Sequence, residues 1–514
     1  MSRRLKILIA VAIAFGVVIL IPIIHHYQLR AATEAYIAQL KAQGEPMDLA
    51  QVIPPPVPPE ENGVPFIINS LTNLKDKYKS IVETNPPMAM REVSPGKAMV
   101  SWQQPNIVGF DDDDLASLST NARLWTNNWE DLERELAAEK DGLDSFQSLS
   151  NHPVLDFNLD YGKGYLIRLE NLAPLAHASR WLSTAAVYDL HEGKTAEACA
   201  DAHAILMIVK GQTEERLEIS QQTRDAIASI GAETTWEILQ EAKVSESELA
   251  SLQQDWESVE FVGAAKRAFL AERVINLHSM EHYLQSPSDL WRGVNGNDKD
   301  ISRRLCKHLW QWFWAYADEK RMMQTYQVLI DATRMAETNH SFQSAQKFAR
   351  TNFIRLGFEM PFPQEGTFRM DIDPIGVRWL LSEDAFDSFR LLKRALVFET
   401  ARNMTIVAIA LKRYELQHHE LPPTLDSLTP AILKTIPLDY MNGQALHYQK
   451  NPDGIFLLYS VGENGVDDGG NPAQPSNDND FPDYDWNDSH ALDWVWPQPA
   501  TEAEIQNYYA HPPK

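Results

Sequence analysis

Residues 7–24 read ILIAVAIAFGVVILIPII, eighteen positions without a charged or strongly polar side chain. A helix rises about 1.5 Å per residue, so this run reaches roughly 27 Å, close to the thickness of a bilayer's hydrocarbon core. Arg3, Arg4 and Lys6 precede it, and the first acid is Glu34. That bias holds a short N-terminus in the cytoplasm and exports the rest. The stretch predicts a retained single-pass inner-membrane anchor, with the bulk of the chain periplasmic. A cleaved secretory signal shares the basic start. Its apolar core is shorter, however, and no small-residue cleavage site follows here, where the exit is His25, His26, Tyr27, Gln28, Leu29, Arg30. Ser2, Arg3 and Arg4 faintly match a twin-arginine signal, whose core is less apolar. A buried core helix is disfavoured by the extreme N-terminal position behind three cations.

Charge narrows the partners. The 46 basic and 71 acidic residues leave −25 over 514 positions, which repels phosphate backbones and anionic lipid surfaces, so nucleic acid is not an expected partner. The membrane and other envelope proteins are. Cys199 and Cys306 are the only cysteines, too few for a disulfide scaffold, although one bridge between them is open in an oxidising compartment.

The chain divides by pattern. Residues 1–30 form the cytoplasmic tip and anchor. Residues 31–63 give a helix-prone run closing at Gly44 and then Pro54, Pro55, Pro56, Pro58 and Pro59, read as an extended stalk. From 64 to 356 apolar residues recur at three- and four-residue steps, predicting an irregular helical domain. Gly193 between two such runs predicts a helical hairpin, with Ala185, Ala186, Ala198, Ala200 and Ala202 at its seam. No second copy follows at a fixed period, so a repeat array is not expected. Ser245 to Glu248 has capping-box spacing. Ile301 to Glu337 reads as one long helix carrying Trp310, Trp312, Phe313, Trp314 and Tyr316, an aromatic group expected to be core. Residues 357–381 form a linker, 382–470 a long helix plus a hairpin, and 471–514 an acidic tail rich in Trp and Pro. The expected fold class is mainly α, with a small C-terminal α+β cap.

Two motifs carry chemistry. His278, Glu281 and His282 spell H-x-x-E-H within a predicted helix over about 262–284. Residues four apart share a face, so both imidazoles could hold zinc while Glu281 activates its water. That resembles the inverted zinc-peptidase motif, which also needs a downstream glutamate, for which Glu337 and Glu359 are candidates. It defines the alternative function, an envelope zinc metallohydrolase; the competing reading is a solvated helical face. His418, His419 and Glu420 at a helix end, and Asp111 to Asp114 at a helix start, suit the helix dipole instead. No G-x-S-x-G, Walker A, Rossmann or C-x-x-C pattern occurs.

The second lies at the C-terminus. Ser382 is expected to cap a long helix ending before Pro422 and Pro423, followed by a short helix over 424–433. Gln444 to Lys450 and Ile455 to Val461 flank Asn451, Pro452, Asp453 and Gly454, a turn composition that predicts a β-hairpin. No Lys or Arg occurs between Lys450 and Lys514, an interval with twelve acids.

Taken in order, Ala410 to Glu415, Leu421 to Thr424, Ile436 to Asp439, Asn442, Gly443, Tyr448, and Leu458 to Gly465 with Gly469 and Gly470 resemble the globular part of type II secretion major pseudopilins. The resemblance covers about 396–486. It implies calcium in the loop after the last strand, and carries over to the backbone oxygen of Val461, the side chain of Asn464, and Asp478 or Asp480. Asn464 stands where that family has an acid, and the insertion 471–477 is long. Residues 7–24 lack the cleavable leader and early glutamate that family polymerises with, so no pseudopilus is expected. The whole chain also resembles membrane-anchored helical bacterial envelope proteins, a likeness that implies no activity. A non-enzymatic binding or assembly role, with a calcium-stabilised cap, is the resulting expectation.

Overall fold

A computed structural model of the chain describes residues 3–75, 80–110, 124–285, 308–358, 378–451, 454–473 and 492–510. Helix dominates, and short strands gather in two places. Helix α1 (Arg3–Ala42) runs without interruption through Pro22, and Gly44, at φ +83°, ends it. The run from Ala31 is therefore the second half of the same helix. Among the described residues, no helix is long and apolar enough to cross a membrane. Of the expected span, only the side chains from Leu20 to Ile24 fall among them.

The second half of α1 is welded to the body. Thr33 and Leu40 are buried, and the Thr33 hydroxyl donates to the Tyr316 carbonyl at 2.8 Å. Just beyond the helix, Glu45 pairs with Arg273 at 3.2 Å and Arg334 at 2.6 Å. The residues expected to form a free stalk instead make a strap pinned at both ends. Val52 is buried, and the Gly63 N–H donates to the Val154 carbonyl at 2.8 Å. Proline sets the strap's extended backbone, but the buried ends decide where it lies.

Helix α2 (Val64–Lys75) starts the body. Sequence patterning predicts only helices here, yet two hairpins intervene: β1 (Arg91–Ser94) with β2 (Lys97–Met99), and β3 (Ile107–Phe110) with β4 (Leu124–Asn127). Helices then follow in quick succession: α3 (Trp129–Gln147), α4 (Leu172–His191), α5 (Thr195–Gly211), α6 (Glu218–Leu239), α7 (Glu246–Glu257) and α8 (Val262–Gln285). The turn between α4 and α5 forms as expected, with Gly193 at φ +72° and Ala185, Ala186, Ala198 and Ala202 buried at the seam. Small side chains let the two backbones approach. The capping box at Ser245 is also formed, with both reciprocal bonds to Glu248.

The aromatic run expected inside one helix is a π-helical turn, Trp310–Trp314, leading into α9 (Ala315–Asn339). Helix α10 (Phe342–Arg355) packs back on it. Helix α11 (Leu380–Asp387) and α12 (Phe389–His418) break at Ser388, where one helix is expected. Ser382 is not the cap. It sits in the first turn of α11, whose Leu381 and Ser382 N–H groups donate to Asp318 of α9, each at 3.0 Å. A carboxylate from a distant helix has taken the capping role that a local serine was expected to fill.

After α12 the chain builds the cap. His419, in the left-handed region at φ +60°, ends the helix, and the short helix expected over 424–433 is one 3-10 turn, Leu425–Leu428. Strands β5 (Leu438–Asp439) and β6 (Gln444–Ala445) form one small ladder, while β7 (His447–Lys450) and β8 (Phe456–Ser460) form the expected hairpin. The acidic tail adds a strand to two of the sheets. Strand β9 (Trp494–Val495) pairs antiparallel with β8, and β10 (Gln498–Pro499) pairs parallel with β2. Helix α13 (Glu502–Ala510) then packs Ile505 and Tyr508 against Val93 and Met99. Trp494, Val495 and Trp496 are buried, and the Trp236 indole of α6 donates to the Pro497 carbonyl at 2.8 Å. The tail is the seam that joins cap to body.

Candidate functional site

In the cap, two buried carboxylates organise the loops. Asp439 accepts from the Met441 N–H at 2.8 Å and the Val461 N–H at 3.0 Å. Asp493 accepts on one oxygen from Asp468, Gly470 and Asn471 N–H groups at 3.1, 2.8 and 3.1 Å. Burial pushes both carboxyl pKa values up while these main-chain donors pull them down. The exposed Asp467 is held below the usual carboxylate range, chiefly by the Gly469 N–H and then by the Tyr459 hydroxyl. Burial pushes Tyr459 itself up to about 12.

Two of the expected calcium ligands are seen. Val461, nominated for its backbone oxygen, donates its N–H to Asp439, and the Asn464 side chain closes its own turn: its oxygen accepts from the Val466 N–H at 2.7 Å and its amide donates to Asp468 at 2.9 Å. Asp478 and Asp480 lie outside the described residues. Three N–H donors of this loop converge on Asp493, the pairing expected for a carboxylate. Among the described residues, no cluster of three His, Cys, Asp or Glu side chains is placed to hold a metal.

The H-x-x-E-H motif falls on α8, where His278 is exposed; the Glu281 and His282 side chains lie outside the described residues, as does Glu359. Glu337 is committed elsewhere. It pairs with Lys266 at 2.6 Å, and Lys266 precedes His278 by twelve residues, about 18 Å along the same helix. It cannot complete a site at His278. Cys199 is half-buried, its thiol pushed up to about 12 by burial; Cys306 lies outside the described residues.

The fold also joins three residues that no sequence pattern links. The Ser150 hydroxyl lies 2.7 Å from His203 Nε2, and His203 Nδ1 lies 2.6 Å from Asp255. Nucleophile, base and orienting acid occupy triad order. The details oppose catalysis. The hydroxyl also lies 3.0 Å from the Gln147 carbonyl, so its one proton is divided between that carbonyl and His203. It also sits at the C-terminal end of α3, where helices present carbonyls, whereas an oxyanion needs N–H donors. The trio is a polar strut tying α3's end to α5 and α7. Positions 150, 203 and 255 are far apart in sequence, so only the packing could reveal it.

At the other pole, His26 of α1 meets the π-helical turn. Its Nδ1 lies 3.0 Å from the Trp312 carbonyl, and its ring is 5.1 Å from Trp312 and 5.2 Å from Tyr316. Leu20, Ile21, Ile23, Ile24 and Tyr27 of the same helix are exposed.

No family model, curated protein or solved structure matches this chain.

Proposed function

We propose that the chain is a single-pass envelope protein, its N-terminus in the cytoplasm and its body in the periplasm, working by binding or assembly and not by catalysis. One observation carries this reading: the helix that begins with the apolar run 7–24 continues unbroken to Ala42 and is buried in the body at Thr33 and Leu40. An anchor so joined places the body directly at the bilayer. The long α12 with the β7–β8 hairpin on it supports the pseudopilin-like reading of the cap. In this reading the cap serves as a recognition or assembly surface.

Membrane fractionation tests the anchor. Full-length protein should stay with the inner membrane through alkaline extraction, and a periplasmic reporter fused after Ile68 should be active. Release by alkali, or cytoplasmic reporter activity at that junction, would overturn it. Calcium is the proposed stabiliser of the cap, drawing on Val461, Asn464, Asp478 and Asp480. A ligand that binds only the folded state raises its melting temperature by mass action. Calcium at about 1 mM should raise it by a few degrees and a chelator reverse the change; an unchanged melting curve removes calcium from the proposal.

A further inference from the structure

We propose that the π-helical turn Trp310–Trp314 is a second membrane contact, lying in the headgroup layer of a phospholipid bilayer and holding the body flush against it. The inference rests on the single-pass reading, and it concerns what the body does once tethered. Along α1 the surface changes character in order. Leu20, Ile21 and Ile24 are 54, 61 and 52% exposed, purely apolar, and next come Tyr27 at 62% and, from the body, Trp312 at 53%. One turn further, Arg30 and Glu34 form an exposed ion pair at 2.8 Å. From Leu20 to Arg30 is about 15 Å of helix.

Apolar side chains, then amphipathic rings, then paired charges within that distance is the order in which a bilayer passes from hydrocarbon through headgroups to water. Indole and phenol rings favour the middle layer because each has an apolar body and a polar tip. A water-facing surface gives no reason to leave Trp312 and four large apolar residues of α1 uncovered together. The turn cannot drift from this level. His26 Nδ1 meets the Trp312 carbonyl, Thr33 holds the Tyr316 carbonyl, and Trp310 is buried with its indole donating to Asp318 at 3.1 Å. The strap between α1 and the body, pinned at Glu45 and Gly63, leaves no free stalk to lift the body away.

The test uses full-length protein in phosphatidylcholine–phosphatidylglycerol vesicles, with Cys199→Ser and Cys306→Ser and one new cysteine carrying an environment-sensitive fluorophore. Trp312→Cys reports the turn, Ala14→Cys the anchor, and Ile354→Cys, exposed elsewhere on the body, is the remote control. Spin-labelled lipids quench either at the headgroup or deep in the acyl chains. The label at 14 should be quenched best by the deep probe, and the label at 312 by the headgroup probe, at least about twofold more than at 354. Deep quenching at 14 with no difference between 312 and 354 overturns the inference and leaves the anchor standing. Loss of quenching at 14 as well defeats the single-pass reading itself. A label at 312 shielded from aqueous iodide yet untouched by either lipid probe would mean that protein covers the turn, and would also overturn the proposal.

Discussion

Body and cap both bury carboxylates, but they use them differently. In the body, Asp318 receives the first N–H groups of α11, and Glu399 receives the Phe261 N–H at the start of α8 at 2.8 Å. These acids sit beside a continuous apolar core running from Leu40 through Trp181, Phe269 and Leu329 to Leu396. In the cap, the strands are two to five residues long, and Asp439 and Asp493 hold loops that no long ladder supports. The body is stabilised by many interchangeable contacts; the cap shares an apolar cluster with α12 through Leu428, Leu433, Leu446, Leu458 and Trp496, but the loops after β8 hang on a few polar contacts. A buried acid is an accessory beside packed helices and a centrepiece in loops that no ladder supports.

The largest expected effect breaks that contrast directly. Asp493→Ala leaves three part-buried main-chain N–H groups without their acceptor and should cost about 4 kcal/mol, each contributing at the low end of roughly 1–3 kcal/mol because water reaches them. Hydrogen exchange should show protection lost first around β8 and β9. Because all three donors meet one oxygen, Asp493→Asn should cost less than half as much. Leu182→Ala in the body should cost about 3 kcal/mol through its cavity, with exchange accelerated globally and no local melting. Equal, global effects from both substitutions would erase the distinction.

A second prediction concerns pH. Glu237, buried on α6, accepts from the Met90 and Ser101 N–H groups on the same oxygen at 2.8 and 3.1 Å, yet burial pushes its carboxyl up to about 7. Between the unfolded carboxyl value near 4.5 and that native value, the folded state holds a proton the unfolded state has lost. Stability from this group is thus complete at low pH and falls as pH rises to about 7. Glu237→Gln keeps the accepting oxygen and removes the titration. Its melting temperature relative to the parent should therefore improve from pH 5 to pH 8, by the equivalent of about 2 kcal/mol. A pH-independent difference would mean that the acid is ionised in the fold throughout.

The smallest effect sharpens the role of the Ser150–His203–Asp255 strut. His203→Gln should cost about 1 kcal/mol by chemical denaturation, and an organophosphorus probe should leave Ser150 unlabelled. Labelling of Ser150 that His203→Gln abolishes would restore acyl transfer as a function.

Local chemistry was legible where neighbours in sequence decide the outcome. The Gly193 turn, the Ser245–Glu248 box and the β7–β8 hairpin need only a few adjacent residues. The strap, β9, β10 and the Asp318 cap could not be read. Each depends on partners far along the chain, and two-residue strands such as Trp494–Val495 carry no period. The expected calcium residues illustrate the same divide. Family-like order in the sequence nominated Asn464, whose oxygen accepts from the Val466 N–H; Asp493, which gathers three N–H groups of the same loop, is an acid the pattern gave no reason to choose.

By itself the sequence determined the apolar run at 7–24, the acidic balance and the helical periodicity, because these depend on side-chain chemistry and spacing alone. Tertiary structure decided that α1 continues into the body, that the proline segment is a strap, that the tail is a seam, and that Trp312 stands beside His26 at the edge of the apolar surface. Those outcomes depend on which distant surfaces find one another, and burial and backbone hydrogen bonding settle that only once the chain has closed on itself.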